Sequence, residues 1–201
     1  MEQELEKLLD QACQIARSLF SRGKTAGSSA NMSFLYGDQV YITASGSCFG
    51  TLTAEDFART DLDGRTSEKK PSKELPLHLA LYNRPENSVQ AVIHTHSFYS
   101  VLWSCIPHKG REQDVIPSYT PYLDMKLGAV HLVPFASPGS EELFGIFRKH
   151  VTEVNGYLLA NHGPVVGGTS LQEAFYALEE LEESARIAWE LRNEPGIVTL
   201  R

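Results

Sequence analysis

The chain has 201 residues, 42% of them hydrophobic and 21% charged, which is enough for one domain with a sizeable core and argues against wholesale disorder or a collagen-like repeat. Asp and Glu number 25 against 18 Lys and Arg, giving a formal net charge of −7 with no basic block, so a nucleic-acid partner is not expected and an anionic ligand would need a local basic or amide-lined pocket. No run approaches the roughly 20 apolar residues that cross a bilayer, the first residues lack the form of a signal peptide, and Cys13, Cys48 and Cys105 have no C-x-x-C spacing; the reading is a cytoplasmic protein without membrane contact, disulfide framework or thiolate metal site.

Leu5, Leu8, Leu9, Ala12, Ile15, Ala16 and Leu19 recur at helical spacing, which predicts an amphipathic helix over 3–21 ending before Gly23. After the small-residue loop "KTAGSSAN", the run "MSFLYGDQVYITASG" reads as two strands joined by Gly37-Asp38, a two-residue hairpin signal. "TAEDF" opens a short turn or helix at Thr53, and "PSKELPLHLALYN" reads as a helix over 72–83 whose first turn holds Ser72, Lys73 and Glu74, with Pro76 near the start.

Residues 88–96 read as a strand, in which alternation puts His94 and His96 on one face and Thr95 on the other. "VPFASPGSEELFGIFRKHV" is a loop followed by a helix, and "NGYLLANHGPVVGG" is strand-like. The last long helix begins with Ser170 and Glu173 at capping-box spacing; Leu171, Ala174, Phe175, Leu178, Leu181, Ala185 and Ala188 make its core face, with glutamates outside. Helices and strands intermingle without repeats or linkers, so one α/β domain over 1–201 is expected, a sandwich with a largely antiparallel sheet.

A histidine taken singly is usually structural or solvent-exposed. The H-x-H pair His94 and His96 is different, because two imidazoles on one strand face can share an ion at about 2.0–2.1 Å per bond. His162 lies where an apolar run ends in Gly-Pro and could present its ring to the same cleft. Three imidazoles with an open position is the general form of a catalytic zinc site, whereas structural zinc is usually closed by four ligands and rich in cysteine. Glu74 stands one turn before His78, a spacing that also allows nothing more than a local contact. The turns "GSSANMS", "TASGS" and "PSKE" offer hydroxyls and amides of the kind that bind phosphate, although each alone is an ordinary turn.

Taken in order, "SANMS", "TASGS", "PSKE", "HTH" and "NHG" resemble the class II aldolase/adducin family across roughly residues 5–190, and the longer runs "TASGSCFG", "KKPSKELPLHLALYN", "VIPSYTPYLDMKLG" and "LLANHGPVVGGTSLQEAFYALEELEE" are similar to its bacterial 3-oxo-tetronate 4-phosphate decarboxylase branch. The resemblance implies a three-layer αβα sandwich with a central, mainly antiparallel sheet, assembled as a homotetramer. It implies a divalent ion, Zn2+ with Mn2+ or Co2+ as substitutes, on His94, His96 and His162. Glu74 is then the acid/base residue and a metal ligand when substrate is absent. The phosphate pocket maps to Asn31, Ser45, Gly46, Ser72 and Lys73, and the proton-donating tyrosine to Tyr122 or Tyr119.

Two departures from the family pattern stand out. Ala30 replaces the glycine usual before the asparagine, and Lys73 replaces a second serine in P-S-S-E, adding an ammonium that suits a doubly anionic substrate. The implied activity is the decarboxylation of a phosphorylated sugar acid, 3-oxo-tetronate 4-phosphate, to dihydroxyacetone phosphate and CO2 through a metal-stabilised enediolate. The alternatives are retro-aldol cleavage of a sugar phosphate and a non-catalytic adducin-like module.

Overall fold

In a computed structural model of the chain, residues 2–66, 68–85 and 88–200 are described. The first helix, α1, runs Glu2–Ser21 and buries Ala12, Cys13, Ile15, Ala16 and Leu19, the stripe its spacing predicts. β1 (Asn31–Tyr36) and β2 (Gln39–Thr43) form the expected hairpin through Gly37-Asp38. A short 3-10 turn, Ala54–Asp56, is capped reciprocally by Thr53 and Asp56 and leads into β3 (Phe57–Thr60).

Helix α2 covers Leu75–Tyr82, three residues later than the sequence reading. Pro76 explains the difference: it has no N–H to donate to the Ser72 carbonyl four residues back, so the turn over 72–75 is not propagated as α-helix and the helix starts with the proline in its first turn. Glu74 therefore becomes the residue before the helix, with φ −95° and ψ 11°, and its carboxylate is not committed to the helix surface beside His78.

β4 spans Ala91–His94 only, so His96 lies beyond the strand rather than within it. The chain continues through α3 (Phe98–Ser104), α4 (Tyr122–Leu127), β5 (Val130–Val133) and α5 (Glu141–His150). The strand-like run around Asn161 is in fact two strands, β6 (Gly156–Leu159) and β7 (Gly163–Gly168), with His162 in the turn between them. Helix α6 occupies Leu171–Leu191 and starts as predicted, the Ser170 hydroxyl accepting from the Glu173 amide at 3.1 Å.

The strands form one seven-stranded sheet in the order β3-β2-β1-β4-β7-β6-β5. Every neighbouring pair is antiparallel except β5 and β6, which the α5 crossover makes parallel. Met32, Phe34, Ile93 and Val166 pack on one face beneath α1, α3, α4 and α6. Ile42, Val92, Tyr157 and Val165 pack on the other beneath α2 and α5. This is the expected three-layer αβα arrangement, with both sheet faces buried.

One glutamate departs from the predicted amphipathic pattern of α6. Glu182 is buried, and its carboxylate accepts from the amides of Tyr99 and Ser100 at 3.1 and 2.9 Å and from the Ser100 hydroxyl at 2.6 Å. Three donors at the start of α3 compensate the carboxylate's desolvation. No helix among the described residues is long and apolar enough to cross a membrane.

Candidate active site

Three central strands deliver the chemistry to one end of the sheet. Asn31, the first residue of β1, pairs with His94, the last of β4, and His94 pairs with Val165 of β7. Alternation directs Asn31, Ser33, Val92 and His94 toward the α2 side, opposite Met32 and Ile93. His94 is fully buried, and its Nδ1 donates to the Pro164 carbonyl at 2.8 Å, so the lone pair is on Nε2.

His162 reaches the same point from the β6–β7 turn. Asn161 before it has φ +54°, and Gly163 after it has φ +154°. A Cβ on Gly163 would lie 2.3 Å from the Thr95 carbonyl oxygen. Glycine is thus what lets the turn carrying His162 close onto the loop carrying His96. The three rings sit edge to face, with centroids 5.1 Å apart for His94 and His96, 4.8 Å for His94 and His162, and 4.7 Å for His96 and His162.

This donor set fits a divalent ion. One ring nitrogen from each of His94, His96 and His162 falls within 4.8 Å of the others. The Nε2 atoms of all three, and Nδ1 of His162, are buried without a hydrogen bond among the described residues. Burial pushes His94 and His162 down to about 3 and lowers His96 as well, against the opposing pull of Glu74 on the latter two. The imidazoles are therefore neutral at neutral pH, the form that ligates metal. Nitrogen ligands with a carboxylate nearby and no cysteine suit zinc and its divalent neighbours.

Glu74 borders the triad. Its Oε2 lies 3.3 Å from His94 Nε2 and its Oε1 3.5 Å from His162 Nε2, and the Asn31 carboxamide donates to Oε2 at 3.0 Å. The Glu74 amide donates to the Ser72 hydroxyl at 3.3 Å, which ties the backbone at Glu74 into the turn before α2. Asn31 and Ser72 thus hold Glu74, a function that sequence reasoning missed because it assigned both only to phosphate. The structure brings Glu74, His94, His96 and His162 together, as the sequence reading expects.

Above them lies a cleft of about 160 Å³ lined by Ser45, Gly46, Ser47, Ser72, Lys73 and Gly139, among others. Gly46 adopts φ +85°, and a Cβ there would point into open space, so the turn can bring its backbone to a ligand. Ser45 and Ser72 spend their amides on the Lys70 and Thr43 carbonyls, leaving hydroxyls and the Lys73 ammonium as the polar groups they offer. The stem of Lys73 packs against Gly139, in the loop before α5, which the sequence reading did not connect to the site. Ala30 also lines the cleft.

Tyr122 is not brought to this cleft. It opens α4, on the other face of the sheet, and is 59% exposed; neither it nor Tyr119 is among the lining residues. A larger groove of about 890 Å³ runs past Arg84 and residues 151–155, but Arg84 spends its guanidinium on the carbonyls of Thr152, Glu153 and Val154. Its size reflects an open surface; the convergent neutral nitrogens lie elsewhere.

A buried three-histidine, one-glutamate centre under a small-residue cleft on an αβα sandwich defines the class. The chain belongs to the class II aldolase and adducin N-terminal domain family, whose model matches residues 10–189. A 3-oxo-tetronate 4-phosphate decarboxylase from Escherichia coli strain K12 is 41% identical over 194 residues, covering 94% of this chain and 90% of that protein. An L-fuculose phosphate aldolase from Methanocaldococcus jannaschii is 36% identical over 177 residues, covering 88% and 93%. The crystal structure of Escherichia coli YgbL, described as an aldolase, epimerase or decarboxylase, superposes with a TM-score of 0.90 at 39% identity, over 98% of this chain and 95% of that one.

Proposed function

We propose that the chain is a divalent-metal-dependent lyase that decarboxylates 3-oxo-tetronate 4-phosphate to dihydroxyacetone phosphate and CO2. The observation that carries this reading is the convergence of three neutral imidazoles and Glu74 beneath a cleft bearing Lys73 and five serines. Relatives named for this reaction, 35–41% identical over most of the chain, support the substrate.

His94, His96 and His162 would hold the ion, and Glu74 could complete its ligand set before substrate enters. A bound ion, Zn2+ or a divalent substitute, supplies Lewis acidity toward substrate oxygens, worth several kcal/mol as negative charge develops. The cleft binds the remote end of the substrate: the hydroxyls of Ser45 and Ser72, the turn at Gly46 and the Lys73 ammonium receive the phosphate and fix the register of the reacting carbons. Asn31 contributes through Glu74, since its carboxamide is already engaged.

Cleavage of the C1–C2 bond releases CO2 and leaves its electron pair in a C2–C3 enediolate. Glu74 then delivers a proton to C2, giving the hydroxymethyl carbon of dihydroxyacetone phosphate. Asn31 pins Oε2, so Oε1 is the oxygen assigned to carry that proton. Tyr122 has no part in the chain's own cleft. Residues 1–201 act as one unit, and the exposed Tyr122 and Met125 on α4 favour an assembly that covers them, a homotetramer in this reading. Three free cysteines suit a cytoplasmic setting.

The second reading, retro-aldol cleavage, keeps the same residues and is favoured by the relatives named L-fuculose phosphate aldolase. Supplying the purified chain with 3-oxo-tetronate 4-phosphate and with fuculose and ribulose phosphates separates the two. Decarboxylation predicts turnover of the acid alone; aldehyde release from a sugar phosphate with no turnover of the acid would reverse the assignment.

A further inference from the structure

The carboxylate of Glu74 stands at the head of a buried chain of hydrogen bonds that leads away from the cleft. Asn31 Nδ2 lies 3.0 Å from Glu74 Oε2, and Asn31 Oδ1 lies 2.6 Å from His78 Nε2. His78 Nδ1 lies 2.7 Å from the Ser33 hydroxyl, which lies 2.7 Å from the Tyr82 hydroxyl. Ser33 and His78 are fully buried, and Asn31 and Tyr82 nearly so. The sequence reading paired His78 with Glu74 as neighbours on one helix turn; the structure connects them through Asn31 of β1.

The direction of every bond in this chain follows from its ends. A carboxylate only accepts, so the amide nitrogen of Asn31 must face Glu74 and its oxygen must face His78. His78 Nε2 must then carry a hydrogen. Burial lowers His78 to about 3, so the ring is neutral and has one N–H; Nδ1 is therefore an acceptor and Ser33 must donate to it. The lone pairs left on Ser33 accept from Tyr82. All the donors point toward Glu74. Because the link next to Glu74 is an amide, the chain cannot pass a proton along; it can only orient.

We propose that His78 is a positioning residue for Glu74, acting through Asn31: its Nε2–H tautomer, fixed by Ser33 and Tyr82, locks the Asn31 carboxamide so that it aims the carboxylate at the reacting carbon. This rests on the reading of Glu74 as the acid/base residue. A leucine at 78 fills the space but frees Asn31 to rotate, whereas glutamine can place an amide N–H near the position of Nε2 and restore the donor.

The test compares native protein, His78→Leu, His78→Gln and Glu74→Gln by kcat and KM for CO2 release from 3-oxo-tetronate 4-phosphate, metal content and Tm. His78→Leu is expected to lower kcat by roughly 10–100-fold with metal content retained and KM little changed, as for loss of a residue that orients a reacting group. His78→Gln should recover most of that loss even where its Tm falls as far as that of the leucine variant. Equal losses in the two variants, or native kcat in His78→Leu, would overturn the proposal.

Should the variants fail to fold, 15N NMR of the imidazole in native protein still decides: hydrogen on Nε2 is the expected result, and hydrogen on Nδ1 contradicts the chain. An active Glu74→Gln would instead remove Glu74 from the reaction and leave the tautomer result standing, so the two failures are told apart.

Discussion

Glu74 and the three histidines divide the work by chemistry. The histidines are neutral by burial and offer lone pairs, whereas Glu74 keeps a carboxylate within reach of two of them. Glu74→Gln, nearly isosteric, should cut turnover by roughly 10²–10⁴-fold, the usual contribution of a positioned acid or base. His96→Ala should differ by losing the metal itself, seen as a substoichiometric ion content after dialysis. The histidines were legible in the sequence because H-x-H and N-H-G are local patterns. The engagement of Asn31 was not, since its partner Glu74 is 43 residues away and is brought close by the β1–β2 pairing together with the bridge that docks Pro71 and Ser72 on the end of β2. Glu182 escaped for a related reason: helical spacing puts it on the core face with Leu178 and Ala185, but its charge assigns it outward, and the α3 amides it caps come from a distant segment.

At the scale of elements, the β6–β7 turn and the start of α2 matter most. Gly163→Ala would force a Cβ against the Thr95 carbonyl oxygen at 2.3 Å, so either the turn with His162 or the loop with His96 must move. We expect a loss of at least about 2 kcal/mol in stability and weakened metal binding, measured by denaturant unfolding and metal titration. A native metal affinity in that variant would show that the two segments are less tightly coupled than the geometry indicates. Long periodic helices and the β1–β2 hairpin were readable in advance because their signals are local. The ends of β4 and α2 were not: His96 leaves the ladder where tertiary packing ends it, and Pro76 delays α2 through a backbone constraint that apolar periodicity does not register. Short β3, β5, α3 and α4, four to seven residues each, offer too few periods to be seen.

For the whole molecule, burying histidines makes stability depend on pH in a defined direction. His78, His94 and His162 take up protons near 6.5 when unfolded but only near 3 when folded. Between those values the unfolded chain binds more protons, so stability is complete above about pH 6.5 and is lost progressively as pH falls toward 3. The Tm of the metal-free protein should therefore drop steadily on acidification from neutral; a flat profile over that range would contradict the burial of these rings. The assembly is checked by sedimentation, where a homotetramer predicts four chains of 22.3 kDa. The most direct measurement of the central claim is CO2 released from 3-oxo-tetronate 4-phosphate by the purified chain, before and after chelation and on restoring a divalent ion. One CO2 for each dihydroxyacetone phosphate, abolished by chelation and recovered with the ion, is the predicted result; turnover that survives complete removal of the metal, or no CO2 from the fully loaded protein, would contradict it.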